Sequence, residues 1–198
     1  DRLSVVAVSL KNRIGWDART QVPPVDLLPA RSYPARPYLY SQAQIRRLLQ
    51  AAQDYPAGKQ FPGPWWRRFR AQALHCICGL MAVSGMRIGE VLNLQPADID
   101  WSEDLLTVRH GKFGKSRLVP LHASTLQALA RYVQCRDRFF AHLRPGTKLS
   151  HFFVNSRGTR LHRTHLNRIF RDLSRQIGLR APAARHGPRL HDFRQHAG

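Results

Sequence analysis

Three groups of basic residues, well separated along the chain, carry side chains suited to work on a phosphodiester. Arg87 lies in Ser84-Gly85-Met86-Arg87-Ile88-Gly89-Glu90, just past a tight turn and at the opening of a helix. There its guanidinium and the free N–H groups of the first helical turn can face one anion. Glu90, three residues on, shares its helix face and is placed to orient it. Lys112 and Lys115 occupy the glycine-bearing turn Gly111-Lys112-Phe113-Gly114-Lys115. His191 and Arg194 stand at i, i+3 in Leu190-His191-Asp192-Phe193-Arg194, again on one face. Displacement at phosphorus builds charge on the non-bridging oxygens, which arginine forks can stabilise. It also needs a proton for the leaving oxygen, which a positioned Lys or His can give. Each group alone is weak: an arginine at a helix start is more often solvated, and a lysine-rich turn is usually only a charged tip. Their order and setting make the case.

The composition points the same way. Lys plus Arg number 32 against 12 acidic residues, a net charge of +20 over 198 residues. So basic a domain repels itself unless its charge has a partner, most often nucleic acid or an anionic membrane. The lysines are only Lys11, Lys59, Lys112, Lys115 and Lys148, so the charge is nearly all arginine, which binds phosphate as a bidentate fork. Hydrophobic residues make up 43%, enough for a core. No apolar run approaches a membrane span. Cys76, Cys78 and Cys135 are an odd set without a Cys-x-x-Cys pair, which disfavours a disulfide frame or zinc site and reads as small buried hydrophobes in a reducing cytoplasm. Metal-dependent nucleases need clustered carboxylates, and the acids here are scattered. His162, His165 and His191 lack partners at ligand spacing, so no metal is expected.

Several elements must position these residues. Residues 1–38 read as a lead-in, with Pro23, Pro24, Pro29, Pro34 and Pro37 stiffening a linker that would carry the tail of a preceding domain. Residues 39–198 read as the domain itself. Ser41 and Gln44 form a capping box for a helix carrying Ile45, Leu48, Leu49 and Ala52. A second helix covers Trp65 to Val83 and stops at Ser84-Gly85. A short helix, Arg87 to Leu94, ends before Pro96. Leu105–Val108 and Arg117–Val119 pair as a β-hairpin around the basic turn. A long helix covers Ser124–Leu143, with Leu126, Leu129, Tyr132, Val133 and Phe140 inward. His151–Asn155 reads as a third short strand, Thr164–Gly178 as a helix, and Leu190–Ala197 as a helix start. Trp65, Trp66, Phe69, Phe152 and Phe153 read as core. The fold class is therefore α+β, mainly helical with a small three-stranded antiparallel sheet.

These motifs together resemble the tyrosine recombinase, or phage integrase, family. Ser84 to Leu94 with Asp98-Ile99-Asp100 resembles its first arginine motif, Gly111 to Leu121 its β-hairpin, and Leu190 to Arg194 its second motif, His-x-x-Arg. The resemblance covers about Tyr38 to Arg194. It implies that Arg87 and Arg194 hold the scissile phosphate. His191 would assist by hydrogen bonding or general acid/base action. Lys112 would protonate the departing 5′ oxygen, with Lys115 as runner-up or a DNA backbone contact. Arg117 would be a DNA contact and Glu90 a supporting residue. A tyrosine would attack to leave a 3′-phosphotyrosine link, with neither metal nor cofactor. The partners implied are double-stranded DNA and other recombinase protomers, the family acting as a tetramer on DNA, with no membrane; the implied location is cytoplasmic, at the nucleoid.

The family's nucleophilic tyrosine lies downstream of His-x-x-Arg. The tyrosines here are Tyr33, Tyr38, Tyr40, Tyr55 and Tyr132, all upstream. The expectation is therefore a catalytic domain incomplete at its C-terminus, inactive alone in cutting and rejoining DNA. The alternative is a non-catalytic DNA-binding protein derived from a recombinase. A basic RNA-binding protein would need aromatic stacking platforms that the sequence does not offer.

Overall fold

A computed structural model describes residues 37–55, 63–109, 116–184 and 187–195, with Arg194 and Gln195 described by their backbone alone. The described residues belong to one unit starting at Pro37. Lys112 and Lys115 lie outside them, as does the Arg194 side chain.

The first helix, α1, spans Gln42–Gln53, and the Ser41–Gln44 capping box forms as expected: Gln44 N–H donates to Ser41 Oγ (3.2 Å) and Ser41 N–H to Gln44 Oε1 (2.9 Å). The central helix α2, Pro64–Ser84, is apolar over most of its circumference, with Phe69, Leu74, Ile77, Leu80 and Met81 buried. A helix apolar all round must be covered on several sides; α1 and the long helix α4, Ala123–Leu143, pack on it. Rings from α2 and α4 interlock there: Phe69 stacks on Phe139 (4.9 Å) and lies 6.0 Å from Tyr132. Gly85 closes α2 with φ 59°, a left-handed conformation that glycine adopts without a Cβ clash.

The short helix α3 is only Ile88–Leu92, tighter than the Arg87–Leu94 expected. Arg87 is extended (φ −74°, ψ 148°) and caps α3 rather than joining it. At the other end, Gln95 is extended ahead of Pro96, as the residue before proline prefers.

The sheet is antiparallel in the order β1-β2-β3: Ile99–Asp100, Leu105–Val108 and Arg117–Pro120. Leu106 and Val108 alternate inward with Ile99. The third strand is thus Ile99–Asp100, and the strand expected at His151–Asn155 is corrected: that segment makes one isolated bridge, Val154 to Arg160. Its other backbone groups are taken elsewhere. Phe152 N–H donates to the Leu94 carbonyl (2.7 Å), and the Phe152 carbonyl accepts from Tyr132 Oη and Arg136 Nη1 (3.1 Å each). Phe152, Phe153 and Val154 are all buried, so the period-two alternation of a half-buried strand is missing.

Helix α5, Arg163–Gln176, presents Leu166, Ile169, Phe170 and Leu173 to the core and gives way at Gly178 (φ 76°). The Leu190–Gln195 segment is a 3-10 helix packed against α2. Trp66, Phe69, Phe152 and Phe153 are core residues, and Trp65 is half-buried against His142. Cys76 and Cys78 are buried, and burial pushes both thiols up to about 12. No described helix is long and apolar enough to cross a membrane.

Candidate phosphodiester site

Glu90 is the centre of the site. Its side chain is only 8% exposed, at the first turn of α3, and its carboxylate accepts four hydrogen bonds. Arg87 gives two, from its backbone N–H to Oε2 (2.9 Å) and from Nη1 to Oε1 (3.0 Å). Arg117 of β3 gives the others, Nη2 to Oε2 at 2.8 Å and Nη1 to Oε1 at 3.3 Å. Burial alone would raise this carboxyl. The bonds from the Arg117 side chain and the Arg87 backbone and side chain outweigh burial and hold it at about 2. Glu90 is therefore ionised at neutral pH, and two guanidiniums remain anchored on it.

Local sequence explains the arrangement. The left-handed Gly85 turns the chain sharply out of α2, Met86 plugs the core, and Arg87 arrives extended at the start of α3. Its side chain stays partly exposed (32%), so solvent can reach it. Arg117 begins β3, shortly after Lys112 and Lys115 in the sequence, and pairs with Val108 across the ladder. The strand thus brings a residue 27 positions away to the foot of α3.

A second buried carboxylate braces the hairpin. Asp98 accepts from the Gln95 N–H (2.8 Å) and from the Arg109 guanidinium, fastening the end of β2 to the 3-10 turn Pro96–Asp98. Neither Asp98 nor Arg109 was given a role from sequence, although Asp98 stands inside the first arginine motif. Only its burial, invisible in sequence, marks it out.

His191 is exposed on its 3-10 helix, while Leu190, Asp192 and Phe193 are buried. In a 3-10 helix positions i and i+3 eclipse, so position 194 follows 191 on one face, as their spacing suggested. The structure thus joins Arg87, Glu90 and Arg117 by direct contact and sets His191 on a separate element against α2.

Residues 40–198 match the phage integrase family. The chain belongs to that family. Among its phage integrase relatives, a Sinorhizobium fredii protein carrying the name integrase/recombinase y4rB is 45% identical over 98% of this chain and 59% of its own length. The tyrosine recombinase XerC of Chlamydia caviae is 32% identical over 89% of this chain and 50% of its own. The chain therefore spans about half to three-fifths of the length of these relatives. A solved λ integrase, residues 75–356 bound to DNA, superposes with a TM-score of 0.62 at 19% identity, covering 98% of this chain and 61% of that one. XerA recombinase gives 0.60 at 24% identity, covering 96% and 58%. The phage integrase catalytic fold is thereby shared.

Proposed function

We propose that this chain carries catalytic-domain sequence of a site-specific DNA recombinase that binds double-stranded DNA, acting with further protomers on the nucleoid. The observation that carries this reading is the Glu90 carboxylate holding Arg87 and Arg117 together, with the Arg87 side chain partly exposed to solvent. Structural relatives of the family include λ integrase and XerH bound to DNA, and a λ integrase tetramer on a Holliday junction.

In the proposed reaction Arg87 and Arg194 bind the non-bridging oxygens of the scissile phosphate, where negative charge grows. A tyrosine oxygen attacks phosphorus and forms the new P–O bond as the bond to the 5′ oxygen breaks. Lys112 delivers the proton which that oxygen takes up, with Lys115 as the second candidate, and His191 supports the phosphate by hydrogen bonding or proton transfer. The phosphotyrosyl ester conserves the bond, so a free 5′ hydroxyl can reverse the step without a cofactor. Arg117 and Lys115 steady the flanking backbone.

The described tyrosines support a second, narrower reading, in which these residues alone bind DNA without cutting it. Tyr40 and Tyr132 are buried, Tyr38 and Tyr55 half-buried, and Tyr55 donates to Asp172 (3.1 Å). Burial raises the phenols of Tyr40 and Tyr132 above the ordinary tyrosine range, making them poor nucleophiles. The test uses a nicked duplex that traps phosphotyrosine: DNA binding without a covalent adduct supports the narrower reading. An adduct formed by the 198-residue chain overturns it. Absence of binding, or binding indifferent to salt, sinks both readings.

A further inference from the structure

The 3-10 helix Leu190–Gln195 carries two of the proposed phosphate ligands, yet six residues of 3-10 helix do not hold their own geometry. The support comes from outside, and much of it converges on Arg189, the residue just before the helix. The Arg189 carbonyl accepts the first bond of the helix, from Asp192 N–H at 3.0 Å, and also the Tyr40 hydroxyl at 2.8 Å. Tyr40 comes from the segment ahead of α1, 149 positions away. Its ring lies nearly parallel on Phe193 (centroids 4.7 Å apart, 19° between planes), and Phe170 of α5 meets both rings edge-on. The buried Asp192 carboxylate accepts from Arg189 N–H (2.9 Å) and Nη2 (3.0 Å), and Arg180 Nη2 holds the Pro188 carbonyl at 2.7 Å.

A phenylalanine at position 40 would fill the stack equally well. The hydroxyl is the informative group: burying it at 4% exposure is unfavourable unless it finds a partner, and its partner is the carbonyl that starts the motif helix. We infer that Tyr40 is a positioning residue for the second arginine motif, its hydroxyl fixing the turn that leads into the helix carrying His191 and Arg194. The inference rests on reading those two residues as phosphate ligands; the Tyr40–Arg189 bond itself does not.

The test is Tyr40→Phe in the full 198-residue chain, with a melting curve to show that it folds. Three quantities are read: hydrogen exchange at the Asp192 amide, the His191 imidazole resonance in 1H–15N spectra (assigned with H191Q), and affinity for duplex DNA. The expected result is faster Asp192 exchange, a moved His191 resonance and about 3- to 10-fold weaker DNA binding, the range of one hydrogen bond. In an H191Q/R194A background the same substitution is expected to cost no further affinity. Tyr40→Leu, which also loses the stack, is expected to give larger changes in the same direction. A folded Tyr40→Phe protein with unmoved His191 and unchanged exchange would overturn the inference, leaving Tyr40 as a core ring only. If R194A and H191Q both leave DNA affinity unchanged, the reading of the site fails instead, while a moved His191 resonance still supports the positioning role.

Discussion

Glu90 and Arg117, 27 positions apart, meet at 2.8 Å and tie the first turn of α3 to the start of β3. The pair joins the first arginine motif to the first residue of β3. Arg87 lies on the same carboxylate, so one acid carries two cations that would otherwise repel each other.

Removing that acid should be felt in stability. Glu90→Ala leaves two guanidiniums facing each other without their anion, and a loss of about 1–3 kcal/mol is expected from the lost charged hydrogen bonds. Urea denaturation of wild type and variant checks it. A loss below about 0.5 kcal/mol would show that the contact is as weak as an ordinary surface pair.

Acid should erase this contribution. The Glu90 carboxyl is held at about 2 in the folded chain, against an ordinary 4.5. A carboxyl lowered by folding stabilises fully above its unfolded value and loses that contribution as pH falls towards its folded value. The stability gap between wild type and Glu90→Gln should therefore be largest above pH 4.5 and close between pH 4.5 and 2. A gap that stays constant over that window would show that Glu90 acts through shape and not charge.

Arg87 should reveal itself in the salt dependence of DNA binding. Arg87→Ala is expected to weaken duplex binding and to lower the slope of log affinity against log salt by about one contact's worth. Fluorescence anisotropy between about 50 and 200 mM salt measures it. An unchanged slope would remove Arg87 from the phosphate contacts.

Gly85 provides a backbone test. Alanine at φ 59° is strained, and a cost of about 1 kcal/mol is expected, with reduced DNA affinity because the turn aims Arg87. If Gly85→Ala lowers stability while affinity stays the same, the turn does not set the direction of Arg87.

The cysteines should separate by reactivity. Cys135 is half-buried, whereas burial pushes the Cys76 and Cys78 thiols up to about 12. Under native conditions an alkylating reagent should modify Cys135 first, and the other two only on unfolding. Peptide mapping by mass spectrometry reads the order.

Much of this architecture is legible in the sequence where one residue type has one physical use. Ser41 with Gln44 marks a helix start, Ser84-Gly85 marks a stop, and the alternation at Leu106 and Val108 marks a strand. The spacing of Arg87 and Glu90 gives their contact directly, because a capping residue and the third residue of its helix come side by side. Links between distant segments are not legible. Nothing local shows that Arg117 reaches Glu90, that Arg109 reaches Asp98, or that Tyr40 reaches Arg189. Phe152 and Phe153 misdirect the strand reading because an apolar run looks alike in a strand and in a buried loop. Ile99–Asp100 is too short for any periodic signal.

The Glu90 carboxylate also bears on the entropy of association. Long arginine side chains normally lose rotamer freedom when a ligand orders them, about 0.5–1.5 kcal/mol each. Here both side chains are ordered during folding on the same acid, Arg117 by two bonds from its guanidinium and Arg87 by one. If this face takes a phosphate as proposed, the ligand meets two side chains already held on one carboxylate, so folding has supplied part of the order that recognition requires.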